Sequence, residues 1–154
     1  TFRDDKKGGH GIVDMQKSIV ESCDTYYYLL ARDMGVNMMH DFMKPFGFGQ
    51  ITGIDLQGES KGVLPSTEWK KNTFKKPEQQ KWYEGETISL GIGQGYNAFT
   101  ILQLAHAMAN VANNGIVMKP HLVKAIEDPF TRNRVLTTPK ESYRIDLNAE
   151  NIEV

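Results

Sequence analysis

DMQKSIVESCDTYYYLLARDMG, residues 14–35, is the stretch on which the reading of this chain turns. Asp14 suits a helix N-cap, and Met15, Ile19 and Val20 recur about one turn apart behind it, so a helix is expected from Met15 to near Ser22. A second helix is expected from about Thr25 to Met34, stopped at Gly35 by a left-handed cap. Between the two lies Ser22-Cys23-Asp24, on a tight inter-helix turn. A serine and a carboxylate two residues apart on such a turn can face one cleft. The hydroxyl both donates and accepts, so it can pass a proton, and the carboxylate can hold a cationic lysine in position. Taken alone, the tripeptide reads first as ordinary helix capping.

Upstream, residues 1–13 are polar and glycine-rich, with Gly8, Gly9, His10 and Gly11 together, and read as a loop. Downstream, a third helix is expected from Asn37, with Met38, Met39, Phe42, Met43 and Phe46 inward and Gly47 closing it. Three helices in succession make a compact helical lobe. Residues 48–65 are turn-like, with a short extended piece at Ile54-Asp55-Leu56. Ser66 is expected to cap a short helix toward Lys71. Lys70, Lys71, Lys75, Lys76 and Lys81 crowd a polar stretch around Pro77 that reads as a solvated surface loop.

Ile88, Leu90 and Ile92 alternate with Ser89, Gly91 and Gly93 ahead of Gly93-Gln94-Gly95. The run Gly91-Ile92-Gly93-Gln94-Gly95 lacks the Lys-Ser or Lys-Thr of a phosphate loop and the full spacing of a dinucleotide motif, so it is expected to be a turn where backbones approach closely. Thr100 and Gln103 fit a capping box. The helix behind them carries Ile101, Leu104, Ala105, Met108, Val111 and Ala112, ends at Gly115, and by its alanines implies close packing. Ile116 to Ile126 reads as a strand that can pair with Arg134-Val135-Leu136 across an Asp128-Pro129 turn. Asn148 caps a helical pattern over residues 149–154. Helices that short rarely stand alone, so the domain is expected to continue beyond Val154.

Composition sets outer limits. The chain is 154 residues long, 40% hydrophobic and 24% charged, which places it among ordinary globular domains. Eighteen Lys and Arg against 19 acids leave a net charge of -1 and no electrostatic case for nucleic acid. No apolar run approaches the ~20 residues that cross a bilayer, and the first residues do not read as a signal peptide. The single cysteine excludes an internal disulfide. His40 and His106 on helix faces and His121 in a strand are expected to be structural. His10 differs, because Asp4 and Asp5 precede it and Cys23 follows. One Cys, one His and a nearby carboxylate are zinc-type ligands, and the spacing does not choose between Asp4 and Asp5.

Together these runs resemble the transpeptidase domain of the class B penicillin-binding proteins, in the penicillin-binding protein 2 branch that serves elongation of rod-shaped cells. The matching runs are residues 17–26, Phe46-Gly47-Phe48-Gly49, Thr52-Gly53-Ile54-Asp55-Leu56, Gly91 to Tyr96, Thr100 to Val117 and Pro120-His121-Leu122, in that family's order. The resemblance covers about residues 10 to 125. It implies an α/β fold of the penicillin-binding protein and serine beta-lactamase type. Residues 1–154 would then be a partial transpeptidase domain, mostly its helical lobe plus a few strands.

Three motifs build that family's site: Ser-x-x-Lys with the nucleophile, Ser-x-Asn, and Lys-Ser/Thr-Gly. Only the middle one is present, as Ser22-x-Asp24. Asp24 departs from the commoner asparagine, and an ionised carboxylate has no proton to offer a substrate carbonyl. Its implied role is to hold the active-site lysines. The family implies that an upstream serine attacks the D-alanyl-D-alanine end of a peptidoglycan stem peptide. An acyl-enzyme follows, an amine of a neighbouring stem resolves it, and beta-lactams acylate the same serine.

In that scheme Ser22 relays a proton toward the leaving nitrogen, and the 154 residues alone are expected to be inactive. The family further implies a periplasmic domain of a bacterial inner-membrane protein, anchored by an N-terminal helix outside these residues. Its expected partners are membrane proteins of the elongation machinery, not nucleic acid. With Ser22 and Asp24 toward the cleft, Cys23 would point behind it. The resemblance then implies a structural zinc on His10, Cys23 and Asp4, with Asp5 as the rival carboxylate and a fourth ligand from upstream; the alternative is a buried, inert Cys23. Two alternatives stand beside this one: a non-catalytic interaction or structural module, and a beta-lactam-hydrolysing or sensing relative.

Overall fold

The computed structural model describes residues 2–152. Asp14 caps α1 (Met15–Val20) by accepting the Lys17 N–H at 2.7 Å. Helix α2 (Asp24–Met43) is broken at Gly35, whose φ of 74° and ψ of 158° leave the helical region. The expected stop at Gly35 is thus a kink, and the second and third expected helices form one bent element. A 3-10 turn at Lys44–Phe46 follows, closed by Gly47 in the left-handed region. Phe46 is buried as expected, but Met38 and Phe42 are exposed, while α2 buries the smaller Ala31 and Val36.

The chain divides into two compact units, Thr1–Phe42 with Leu64–Asn97, and Met43–Val63 with Ala98–Val154. The first unit holds α1, most of α2, α3 (Thr67–Thr73), α4 (Pro77–Gln80) and α5 (Glu84–Gly91). Ser66 caps α3 by accepting the Trp69 N–H, as its position suggests. Asn37 Oδ1 accepts from both the Thr67 N–H and its hydroxyl, which ties α3 to α2. The alternating run Ile88–Gly93 is not extended but falls largely within α5. First-turn acids Glu84 and Glu86 and buried positions Thr87 and Leu90, three apart, favour the helix there. A Cβ on Gly91 would lie 2.6 Å from both Tyr27 O and Ala31 Cβ, so α5 crosses α2 at backbone contact, the close approach expected of this run.

Lys70 corrects the reading of the lysine-rich stretch. It is 3% exposed, paired with Glu86, and donates to the Lys81 carbonyl at 2.8 Å. The rings of Trp82, Tyr83 and Tyr96 stand 5.4 to 5.5 Å from its ammonium. A buried charge survives only when it is paired and hydrogen-bonded in this way. Lys71, Lys75, Lys76 and Lys81 are exposed, as expected.

In the second unit, α6 (Ile101–Ala112) starts in the expected Thr100/Gln103 capping box. Its buried line is polar and small: Gln103, Ala107 and Asn110 are each 1% exposed, whereas Ile101 is 85% exposed. Gln103 donates to the carbonyls of Gln50 and Lys61, and Asn110 to that of Phe46, so the buried amide side chains of α6 are spent on backbone carbonyls of the preceding segment.

The expected strand from Ile116 to Ile126 is two strands. β1 (Ile116–Met118) pairs antiparallel with β4 (Glu141–Arg144), and β2 (Ala125–Glu127) with β3 (Arg134–Leu136). Pro120 has no N–H for a ladder, and Asp55 accepts the Leu122 and Val123 N–H groups at 2.7 and 2.9 Å, drawing the intervening segment into a loop. Residues 54–56, expected to be extended, lie in no strand and bend into a turn at 57–58, which places the Asp55 anchor, and His121 also lies outside any strand. Helix α7 covers Ala149–Ile152. The last two residues of the helix expected there lie outside the described residues. No described helix is long and apolar enough to cross a membrane.

Candidate functional site

Helix α1 ends in a Schellman motif. The Cys23 N–H bonds to Ser18 O at 2.9 Å and the Ser22 N–H to Ile19 O at 3.3 Å, with Ser22 left-handed at φ 52°. Glycine usually fills that position, because a side chain there costs about 1–2 kcal/mol. Chain direction reverses at once into α2, with Asp24 in its first turn. Ser22 is exposed, Cys23 buried and Asp24 half-buried, the alternation expected of residues that flank an inward thiol. Both Ser22 and Asp24 are therefore carried on a turn fixed by two helices.

Behind the turn, Cys23 meets the N-terminal loop. Its thiol donates to Asp4 Oδ2 at 3.3 Å, and the same oxygen accepts the Thr25 N–H at 3.2 Å, capping α2 from a distant part of the chain. His10 Nδ1 lies 3.4 Å from Asp4 Oδ2, is buried, and has no hydrogen-bond partner. Lys17 on α1 grips the loop, donating to the carbonyls of His10 and Ile12. Burial acts to raise the Asp4 carboxyl, but hydrogen bonds from Asp5, Thr25 and Cys23 outweigh it and hold the group well below the usual carboxylate range. Burial, helped by the Asp4 charge, pushes the Cys23 thiol up.

The three ligand atoms of Asp4, His10 and Cys23 lie within 4.8 Å of one another. Metal–ligand bonds of about 2.0–2.3 Å put tetrahedral ligand atoms roughly 3.3–3.7 Å apart. The Asp4–Cys23 and Asp4–His10 separations of 3.3 and 3.4 Å match that edge length. An unpartnered buried imidazole nitrogen, a carboxylate and a thiol facing one point form a donor set suited to a zinc-type cation. The same residues line a cavity of about 770 Å³ with Arg3, Lys6 and Lys7 on its wall. Asp5 is exposed and takes no part, its N–H turned to Asp4 Oδ1.

All five residues singled out in the sequence thus gather about one turn. Two features had no local signal there. Ser18 is fully buried, with Tyr27 hydroxyl 3.1 Å from its Oγ, and Lys70 pairs with Glu86 16 positions away. His40 and His106 each place a ring nitrogen on a backbone carbonyl, of Pro65 and Met118, as structural histidines do.

The penicillin-binding protein transpeptidase domain matches residues 2–153. The peptidoglycan D,D-transpeptidase MrdA of Acinetobacter baumannii is 53% identical over 132 residues, 84% of this chain and 19% of that protein. The protein of the same name from Escherichia coli K12 is 47% identical over 122 residues, 79% of this chain and 19% of its own length. Among solved structures, Pseudomonas aeruginosa PBP2 in complex with WCK 5153 superposes with a TM-score of 0.78 at 37% identity, over 98% of this chain and 32% of that one. PBP2 of Helicobacter pylori in complex with MreC gives 0.72 at 29% identity, over 99% and 25%. The chain spans about a fifth of the length of the curated relatives it matches.

Proposed function

We infer, from the premise that this chain belongs to the penicillin-binding protein transpeptidase family and has its fold, that in the whole protein it is the middle of a peptidoglycan D,D-transpeptidase acting in cell elongation. The names of its relatives support the activity, and one observation carries the assignment of the site: a serine at a left-handed helix end where glycine is the favourable residue. Backbone outliers of that kind warrant a functional reading.

In this reading a serine outside these residues attacks the penultimate D-alanyl carbonyl of a stem peptide. Its proton passes to the leaving nitrogen, D-alanine departs, and an amine of a second stem displaces the serine from the ester. Ser22 hands on the proton, accepting from one neighbour while donating to the other. Asp24 holds a lysine ammonium at the nucleophile. Beta-lactams acylate the same serine. With no Ser-x-x-Lys in its 154 residues, the chain alone forms no acyl-enzyme. The whole protein works in the periplasm, anchored in the inner membrane among proteins of the elongation machinery; the complex of Helicobacter pylori PBP2 with MreC supports a protein partner.

Asp4, His10 and Cys23 would hold a structural zinc ion, with one further position filled from outside this chain or by solvent. Bound there, the metal supplies charge that keeps Cys23 as thiolate and fixes the Gly-rich loop. The chain's own share is to pin that loop to the turn through Asp4 and the Thr25 N–H.

Labelled penicillin tests the assignment on the whole protein. Ser22→Ala and Asp24→Ala are each expected to slow acylation by about two to four orders of magnitude, the usual weight of an acid–base group, with the fold retained. Acylation of either variant at the parental rate removes that residue from the mechanism. Metal analysis of the same preparation is expected to give about one zinc per chain, lost with a lower Tm in Cys23→Ser and His10→Ala. A parent that is metal-free without chelators, or variants that melt like it, ends the zinc assignment.

A further inference from the structure

We propose that Tyr27 and Ser18 form a clamp that positions the Ser22–Asp24 turn for acyl transfer; the inference rests on the transpeptidase reading and deepens it. Ser18 Oγ lies 2.6 Å from Met15 O and 3.1 Å from the Tyr27 hydroxyl. A hydroxyl has one proton, and the Met15 carbonyl can only accept, so Ser18 donates to Met15 and Tyr27 donates to Ser18. The bond joins α1 to α2 across nine residues and brackets the turn from behind. Ser18 is at once the side chain that receives it and the carbonyl that closes the Schellman motif onto the Cys23 N–H. Any shift of Tyr27 is thus passed to the residue between Ser22 and Asp24.

Tyr27 is itself fixed on a second side. The Tyr27 carbonyl oxygen would lie 2.6 Å from a Cβ on Gly91, and the Tyr27 ring stacks edge-on with Tyr26 at 5.3 Å between centroids. The clamp is therefore held by α1 through a hydroxyl and by α5 through backbone contact. Tyr27 and Ser18 are positioning residues. Their loss is expected to slow the chemical step while leaving ligand binding alone, because the turn remains but its geometry loosens.

Tyr27→Phe keeps the ring and removes only the hydroxyl. In the whole protein, stopped-flow acylation by penicillin is expected to lose roughly tenfold in the acylation rate constant with pre-covalent affinity unchanged, short of the 10²-fold of outright misplacement. Ser18→Ala is expected to do the same, and the double variant to be no slower than the slower single one, the signature of two groups acting as one. Tyr143→Phe is the control. It removes a tyrosine hydroxyl bonded to Pro45 O at 2.8 Å in the other unit, and is expected to acylate as the parent does. Parental acylation in Tyr27→Phe, losses that multiply in the double variant, or an equal loss in Tyr143→Phe each overturn the clamp. Ser22→Ala run alongside separates the two levels. A slow Ser22→Ala beside a normal Tyr27→Phe removes only the clamp, whereas a normal Ser22→Ala removes the reading beneath it.

Discussion

Helices α1, α5 and α6 stop in the same way, with the same pair of backbone hydrogen bonds, yet a different residue stands at the left-handed position of each. In α5 the Gly93 N–H bonds to Leu90 O and the Gln94 N–H to Ser89 O, with Gly93 at φ 76°. In α6 the Asn114 N–H bonds to Val111 O and the Gly115 N–H to Asn110 O, with Asn114 at φ 52°. In α1 the corresponding residue is Ser22, also at φ 52°. Glycine adopts this conformation freely and asparagine is enriched there. Serine has neither advantage. Two of the three stops are built from residues that suit a stop, and the third is built from a residue that suits a hydroxyl.

The surroundings differ in the same sense. Behind Ser22 lie a buried thiol, a carboxylate with lowered pKa and an unpartnered imidazole nitrogen. Next to Asn114, the Asn110 amide is spent on the Phe46 carbonyl, and Asn113 Nδ2 donates to Ile116 O. Polar groups at the α6 end satisfy backbone, and those at the α1 end converge on one another.

Exchanging residues between the stops sharpens the comparison. Gly93→Ser puts at α5 the residue that α1 carries, in space where a Cβ meets nothing within 4 Å. Only conformational strain is added, so unfolding by denaturant is expected to show a loss of about 0.5–1 kcal/mol once the stiffer unfolded chain is counted, with acylation unchanged. Asn114→Gly is expected to move stability by less than about 0.5 kcal/mol, because asparagine is already at ease there. A Gly93→Ser variant as stable as the parent would show that serine carries no strain in this motif, and the contrast would collapse.

The turn was legible because capping and reversal are local matters. Asp14, Ser22 and Thr100 declare themselves within three or four residues of the backbone groups they serve. The Asp4, His10 and Cys23 cluster was legible as chemistry, although choosing Asp4 over Asp5 required the fold, which brings Asp4 to the Thr25 N–H in the first turn of α2. What stayed hidden was long-range. Lys70 sits in a run of lysines that reads as solvated, and nothing near it announces Glu86 or the three rings. Helix α6 hides its buried face because Gln103 and Asn110 look like surface residues until the carbonyls they serve, 42 to 64 positions away, are in place. Helix α5 stayed hidden because the alternation over 88–93 and the glycines at 91 and 93 do not look like a helix.

The most direct test is Ser22→Gly in the whole protein, with Tm and penicillin acylation measured on one preparation. Glycine relieves about 1 kcal/mol or more of strain and returns roughly 0.5–1 kcal/mol to the unfolded chain. The account therefore predicts a Tm level with the parent or above it, together with acylation slower by about two orders of magnitude or more. A variant that acylates like the parent, or one that loses Tm, would contradict it, for Ser22 would then be a helix stop and nothing else.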